Sequence, residues 1–251
     1  MPKISLKSKK FFLIILFSLI LVICLVVANF FSTFLIKTES ASSSASVPFF
    51  SINFLSLSKS QVKNEVLATC QDYQKIGAGG FVWQNDNYYY CLSSGYLNKN
   101  DAVLVQNSLS TDNIKSEILT VKFKEYSIYG NFDNDEIKIL NKALLSPLNF
   151  YKEMYDIAIS LDTSVYNEIS ARMAVNNVHN NLCATIENFL LLFKNNTENS
   201  IISITNLLQK TKDVSTKLCS GMLLNNNQTY SSLLKYRYIE VLRLYYDFLN
   251  K

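Results

Sequence analysis

The chain has 251 residues, of which 49% are hydrophobic and 18% are charged, and its formal net charge is +4. A net charge this small gives no reason to expect a polyanionic partner such as nucleic acid, which usually requires a pronounced basic excess. The length beyond an apolar N-terminal segment is sufficient for one or two folded domains.

Residues 11–36 contain no charged side chain and exceed the roughly 20 apolar residues that a helix needs to cross a bilayer. A secretory signal has a shorter apolar region of roughly 7 to 15 residues, so an uncleaved anchor is favoured over a signal peptide. Four lysines precede the segment within residues 1–10, whereas only Lys37 follows it closely. The sequence therefore predicts a single-pass membrane protein with a cytoplasmic tip at 1–10 and extracytoplasmic domains.

Five cysteines are present, and one of them, Cys24, lies within the apolar segment. The others are Cys70, Cys91, Cys183 and Cys219, an even number on the side of the membrane where disulfides persist. Three pairings are possible. The alternative, which we favour, is four buried free thiols, because cysteine is often a small core residue.

Residues 37–47 are rich in serine and alanine and are predicted to form a flexible spacer. Residues 48–124 show strands with period-2 alternation and helices with a period of 3.6. The predicted strands are Phe49–Leu57, Phe81–Gln84, Tyr88–Ser93 and Glu117–Phe123, with helices at Lys59–Lys75 and from Asn98. This βαββαβ order predicts a four-stranded antiparallel sheet with two helices on one face and the other face free.

Residues 133–251 contain long amphipathic segments and no strand pattern, which predicts an up-and-down helical bundle. Pro147 is expected to break or kink the first segment. The predicted fold class is therefore α+β: one N-terminal transmembrane helix, a ferredoxin-like βαββαβ domain, and an all-α bundle.

Two segments of the βαββαβ unit resemble the SPOR domain, the small peptidoglycan-binding module of bacterial division and sporulation proteins. The second half carries YYCLSSGY at residues 89–96, followed by a polar helix start and Ala102, which is similar to the family's tyrosine strand, glycine corner and helix alanine. The first half carries FSINFLSL at residues 50–57. Asn53 replaces a frequent glutamine and Tyr90 a frequent arginine, so the fold could persist while glycan binding is weakened.

Alternation on the first strand is predicted to turn Ile52 and Phe54 towards the two helices, leaving the other side of the strand on the free face. Sugar rings stack on aromatic side chains, and amides and hydroxyls bind sugar hydroxyls. The glycan-binding candidates are Ser51, Asn53, Trp83, Tyr88, Tyr90, Leu92 and Ser94. The competing interpretation is that the tyrosines are strand formers and the tryptophan belongs to the core.

Few residues indicate catalysis. His179 has Cys183 four residues later, but two ligands fall short of a zinc site. Asp133, Asp135 and Glu136 precede a helical segment, where carboxylates complement the helix dipole. No phosphate-binding glycine loop is recognised. The sequence predicts neither an enzyme nor a metal or cofactor site.

The expected function is a noncatalytic bacterial envelope protein in division or sporulation that binds peptidoglycan glycan strands through the SPOR-like sheet. Its partners would be the glycan, the membrane, and an envelope protein at the C-terminal bundle, with no nucleic acid. The alternative is a membrane-tethered scaffold that recognises another envelope protein through the sheet or the bundle.

Overall fold

The computed structural model describes residues 43–221 and 228–250. Its main sheet is antiparallel, with the strand order β3-β4-β2-β5. The strands are β2 (Phe50–Ser60), β3 (Phe81–Asn85), β4 (Tyr88–Tyr96) and β5 (Glu117–Phe123). The two central strands, β2 and β4, carry most of the buried residues of this sheet, as expected for strands that are covered on both faces.

Two helices connect these strands and lie on one face of the sheet: α1 (Lys63–Gln74) and α2 (Lys99–Thr111). The strand β2 continues to Ser60, whose hydroxyl accepts a hydrogen bond from Val62 N–H, so α1 begins later than the predicted Lys59. Gly77 then turns the chain with a φ of 97°, a conformation that suits glycine and ends the helical stretch.

A second, two-stranded sheet pairs β1 (Ser43–Val47) with β6 (Tyr126–Gly130). Neither strand was predicted from the sequence, and β1 occupies the end of the predicted flexible spacer. Ala45 and Val47 are almost fully buried, so the apolar residues of this serine-rich segment contribute to the core.

Four long helices follow: α3 (Asn134–Asp162), α4 (Glu168–Phe193), α5 (Asn199–Cys219) and α6 (Tyr230–Leu249). A capping box starts α3, because Asp133 accepts from Asp135 and Glu136 N–H while the Glu136 carboxylate accepts from Asp133 N–H. Of the break or kink predicted at Pro147, the break does not occur, because the helix continues through this residue. Proline cannot donate to the Ala143 carbonyl, and Ser146 Oγ donates to it instead at 2.8 Å.

The helices α3 and α6 pack on the face of the sheet that was predicted to be free. Trp83 of β3 contacts Phe54 of β2 with ring centroids 5.2 Å apart, and contacts Tyr246 of α6 at 5.5 Å. Phe123 of β5 meets the same tyrosine at 5.6 Å. Residues 44–251 accordingly form one compact unit in which sheet and helices share a core.

The predicted fold class is wrong for the described residues. They form an α+β unit with six helices and two sheets, and two of the four helices that were expected to form a separate bundle, α3 and α6, pack on the main sheet. None of the helices in 43–221 and 228–250 is both long and apolar enough to span a bilayer. The predicted transmembrane helix at 11–36 lies outside these ranges.

The four cysteines in the described part of the chain divide into one pair and two free thiols. Cys70 of α1 and Cys91 of β4 form a disulfide, with their Cα atoms 5.5 Å apart. Cys183 and Cys219 are free and half-buried. The favoured expectation of four free thiols is therefore wrong for Cys70 and Cys91, because α1 packs its cysteine directly against the sheet.

Candidate functional site

Three of the seven predicted glycan-binding residues lie together, but in the core. Trp83, Tyr90 and Leu92 are 1%, 7% and 0% exposed and belong to the cluster that the sheet forms with the long helices. Arg243 of α6 also covers the Trp83 ring. Its guanidinium lies 4.8 Å from the ring centre and donates a hydrogen bond to the Gln84 carbonyl. A saccharide could not stack on these rings without displacing α6.

Two polar candidates on the other face, Asn53 and Ser94, form hydrogen bonds with neighbouring residues of the sheet. Asn53 is buried, donates to the Tyr96 carbonyl and accepts from the Thr120 hydroxyl. Ser94 Oγ donates to the Tyr96 hydroxyl at 2.8 Å, and Ser51 is half-buried. Because hydrogen-bonding groups used within the sheet are not available to a sugar, these side chains do not form an open polar surface.

Tyr88 is the most exposed of the seven, at 37%. Lys59 lies above it, with Nζ 4.3 Å from the ring centre, and its Nζ is also 5.1 Å from the centre of the Tyr90 ring. The structure therefore leaves one aromatic ring of the predicted surface accessible at the β3–β4 hairpin, already in contact with a lysine.

The predicted surface differs from the observed one because the two faces of β2 were assigned to the wrong helices. Leu55 packs with Ala102 of α2, whereas Ile52 and Phe54 face the long helices, which reverses the predicted assignment. Alternation along a strand shows which residues share a face, but both faces of this strand carry buried apolar residues, Ile52 and Phe54 on one and Leu55 on the other. A pairing shift near Leu55 and Ser56 also separates Ser94 from Leu92.

The only histidine of the chain has two side-chain partners. Its Nδ1 lies 2.9 Å from Ser215 Oγ and its Nε2 lies 3.5 Å from Cys183 Sγ. His179 and Cys183 lie within the regular part of α4, where backbone N–H groups are used by the helix and cannot stabilise an oxyanion. Within the described ranges no group of three potential metal ligands occurs.

A cleft with a predominantly apolar lining lies between α1 and α2. Its volume is about 470 Å³, within the roughly 300–1,000 Å³ range typical of ligand sites. The walls come from α1, α2 and the C-terminal turns of α3, while β4 and the N-terminal half of α6 close the floor. Leu57 of β2 also lines the cleft, so six elements of the chain build one concave surface.

Large apolar side chains surround the mouth of this cleft and are exposed to solvent. Ile76, Leu104 and Ile159 are 69%, 68% and 40% exposed, and each belongs to a different wall. Single exposed apolar residues are common on protein surfaces, but a group around one concavity is typical of a binding site.

Tyrosines form the floor. Tyr96 and Tyr155 meet edge to face, with centroids 5.8 Å apart and planes at 83°. Tyr238 lies 6.5 Å from Tyr155 and accepts a hydrogen bond from Gly95 N–H. Tyr151, immediately behind, donates to the Gly95 carbonyl at 2.9 Å. These bonds to one strand residue hold the floor in a fixed position.

Charged groups lie at two places on the cleft. Lys235 Nζ is 2.6 Å from Asp162 Oδ2 and donates to the Gly77 carbonyl at 2.9 Å, and Ser231 donates to the other oxygen of Asp162. Asp101, in the first turn of α2, lies on the opposite wall. Burial, with smaller contributions from Tyr96 and Asp101, raises the pKa of Tyr155 to about 12.

The cleft was not recognised in the sequence. Asp162 and Lys235 are separated by 73 residues, and nothing in the pattern of either helix indicates that they pair. The one available signal was in α2, which has apolar residues at Leu104 and Val105 as well as on its buried stripe at Ala102. When the apolar surface of a helix is wider than the stripe that packs against the protein, the remaining apolar residues can contact a ligand.

Comparison of the chain with protein-family models, with curated proteins and with solved structures finds no match. The resemblance to the SPOR domain therefore stays a prediction that depends on the residues quoted above.

Proposed function

We propose that this protein is a noncatalytic binding domain whose cleft between α1 and α2 holds an apolar segment of a partner protein. The observation that carries the proposal is the exposed apolar rim around a half-open cavity of about 470 Å³. Among the described residues that line the cleft there is no histidine or cysteine, and the side chains present suit binding better than bond making or breaking.

A protein segment fits the site better than an enclosed small molecule. Small-molecule sites bury most of their ligand, whereas here the apolar surface continues out of the cavity onto Ile76, Leu104 and Ile159. A partner that covers the rim as well as the floor would remove this surface from water. Each Å² of apolar area so buried contributes roughly 25 cal/mol before the costs of association are subtracted.

The proposal follows the second of the two functions expected from the sequence, recognition of a protein, but at a different surface. Peptidoglycan binding stays a prediction, and the burial of Trp83, Tyr90 and Leu92 gives it no support at the predicted face. We further propose that the domain acts outside the cytoplasm. The Cys70–Cys91 disulfide supports this location, because such bonds persist in oxidising compartments.

Selection of peptides from a random display library against the immobilised full chain tests the proposed function. We expect enrichment of peptides rich in Leu, Ile, Phe or Met. Leu104→Glu, which places a charge on the rim, should weaken their binding at least about tenfold. The matched control is Leu191→Glu on α4, which changes an equally exposed leucine remote from the cleft and should leave binding unchanged.

Two results would contradict the proposal. One is selected peptides that bind the Leu104→Glu variant as well as the unchanged chain. The other is sedimentation with purified peptidoglycan sacculi that persists in the Leu104→Glu variant while no peptide is enriched, which would favour the glycan hypothesis.

A further inference from the structure

The charges on the cleft are unequal. Its charged lining residues are Asp101, Asp162 and Lys235, so the acidic groups outnumber the basic one. Lys235 is directed to Asp162 and to the Gly77 carbonyl, and its side chain is 15% exposed. Within the described part of the chain, Asp101 forms no ion pair and is exposed to solvent. One carboxylate of the cleft therefore has no countercharge.

Two tyrosine rings, those of Tyr96 and Tyr155, line the same cleft as Asp101 and Asp162. The face of an aromatic ring carries the negative part of the ring quadrupole, and cations bind such faces. Tyr155 is half-buried, whereas Tyr96 is almost fully buried. Asp101 contributes to the raised pKa of Tyr155, and both Asp162 and Asp101 contribute to that of Tyr96, which places the carboxylates close enough to act on the same space. Aromatic faces beside carboxylates favour a positive group over a neutral or negative one.

We infer that the segment bound in the cleft carries an arginine or lysine among apolar residues, with its cation against Tyr155 and Asp101. The apolar neighbours would cover the rim at Leu104 and Ile76, and the aliphatic part of the basic side chain would lie along the apolar wall of α2. The inference rests on the proposed function and specifies the chemistry of the partner. An acidic segment would instead meet the unpaired Asp101 as a like charge.

Arginine is the better test residue because its planar guanidinium both stacks on aromatic rings and binds a carboxylate with two hydrogen bonds. The probes are two pooled synthetic peptide libraries with random apolar positions, identical except for a central arginine in one and its neutral counterpart citrulline in the other. The full chain should bind the arginine library about five- to tenfold more strongly. The preference should shrink as salt is raised.

Variants assign the preference to the cleft. Asp101→Asn and Tyr155→Leu should each reduce it at least about threefold, whereas Tyr155→Phe keeps the ring and should retain most of it. Asp135→Asn is the matched control, because Asp135 is also an exposed aspartate in the first turn of a helix but lies on α3 outside the cleft. Circular dichroism melting of each variant verifies that it is folded.

The outcomes separate the two proposals. Equal binding of the arginine and citrulline libraries would overturn the inference about charge and leave the proposed function standing. A preference that survives in Asp101→Asn would also overturn it, since the cation would then bind elsewhere. Absence of binding to both libraries would overturn the proposed function as well.

Discussion

The two faces of the main sheet are both covered by helices, but with opposite results. On one face α3 and α6 pack closely, and rings from β2, β3 and β5 contact the tyrosines of α6. On the other face α1 and α2 lie apart and leave the cleft between them. The same sheet thus has a dry structural face and a face with room for a ligand.

The difference shows that aromatic composition does not locate a binding surface. The face with Trp83 and Tyr90 is the more aromatic and is buried, whereas the cleft is lined mostly by aliphatic residues above a tyrosine floor. Accessibility depends on how the covering helices are spaced. Three measurements test this comparison.

Trp83→Ala should have the largest effect. Removing a fully buried ring that contacts Phe54 and Tyr246 should lower the free energy of unfolding by about 3–5 kcal/mol, measured by urea denaturation. Tyr88→Ala at the exposed end of the same face serves as the control and should cost less than about 1 kcal/mol. A Trp83→Ala variant as stable as the unchanged chain would mean that this face is open, as the sequence suggested.

Loss of the disulfide should have the next largest effect and should act on the cleft face. Cys70 and Cys91 enclose a loop with a sequence separation of 21, and the double Cys→Ala variant should lose about 3 kcal/mol of unfolding free energy. Cys183→Ala, which removes a thiol that is not in a disulfide, is the control for the loss of a cysteine side chain. If thiol titration of the denatured, unreduced full chain finds all five cysteines free, rather than three, the bond is absent.

Alkaline pH should have the smallest effect and should act through the floor of the cleft. Burial raises the pKa of Tyr155 to about 12, so folding favours its neutral form. Its contribution to stability is fully present below the unfolded pKa near 10 and is lost as the pH rises towards 12. Tyr155→Phe should therefore lose less stability over that interval.

The expected difference is below about 1 kcal/mol, because solvent reaches part of the ring and screens its charge. Urea denaturation at the two ends of the interval measures it, with Tyr129→Phe at an exposed ring as the control. Identical slopes for Tyr155→Phe and the unchanged chain would show that the phenol is not desolvated.

Several local features could be predicted because neighbouring residues determine them. Gly77 follows α1 at a positive φ, and the acidic residues from Asp133 onwards cap α3. The amphipathic period indicated long helices near their observed positions. By contrast, the start of α1 was misplaced because β2 continues to Ser60, whose hydroxyl accepts a hydrogen bond from Val62 N–H.

The candidate site could not be predicted in the same way. Trp83, Tyr90 and Leu92 belong to one core cluster, but a pairing irregularity separates Ser94 from them. The cleft residues come from elements that meet only in the folded chain, such as Asp162 and Lys235. No local pattern encodes a pairing between positions so far apart.

By itself the sequence determined which segments alternate with the period of a strand or a helix, because that period depends on backbone geometry and neighbouring side chains. Only the tertiary structure decided which face of the sheet is buried by α3 and α6 and which retains a cleft. Both faces of β2 carry apolar residues, so their local patterns are nearly equivalent. The packing of distant helices distinguishes them.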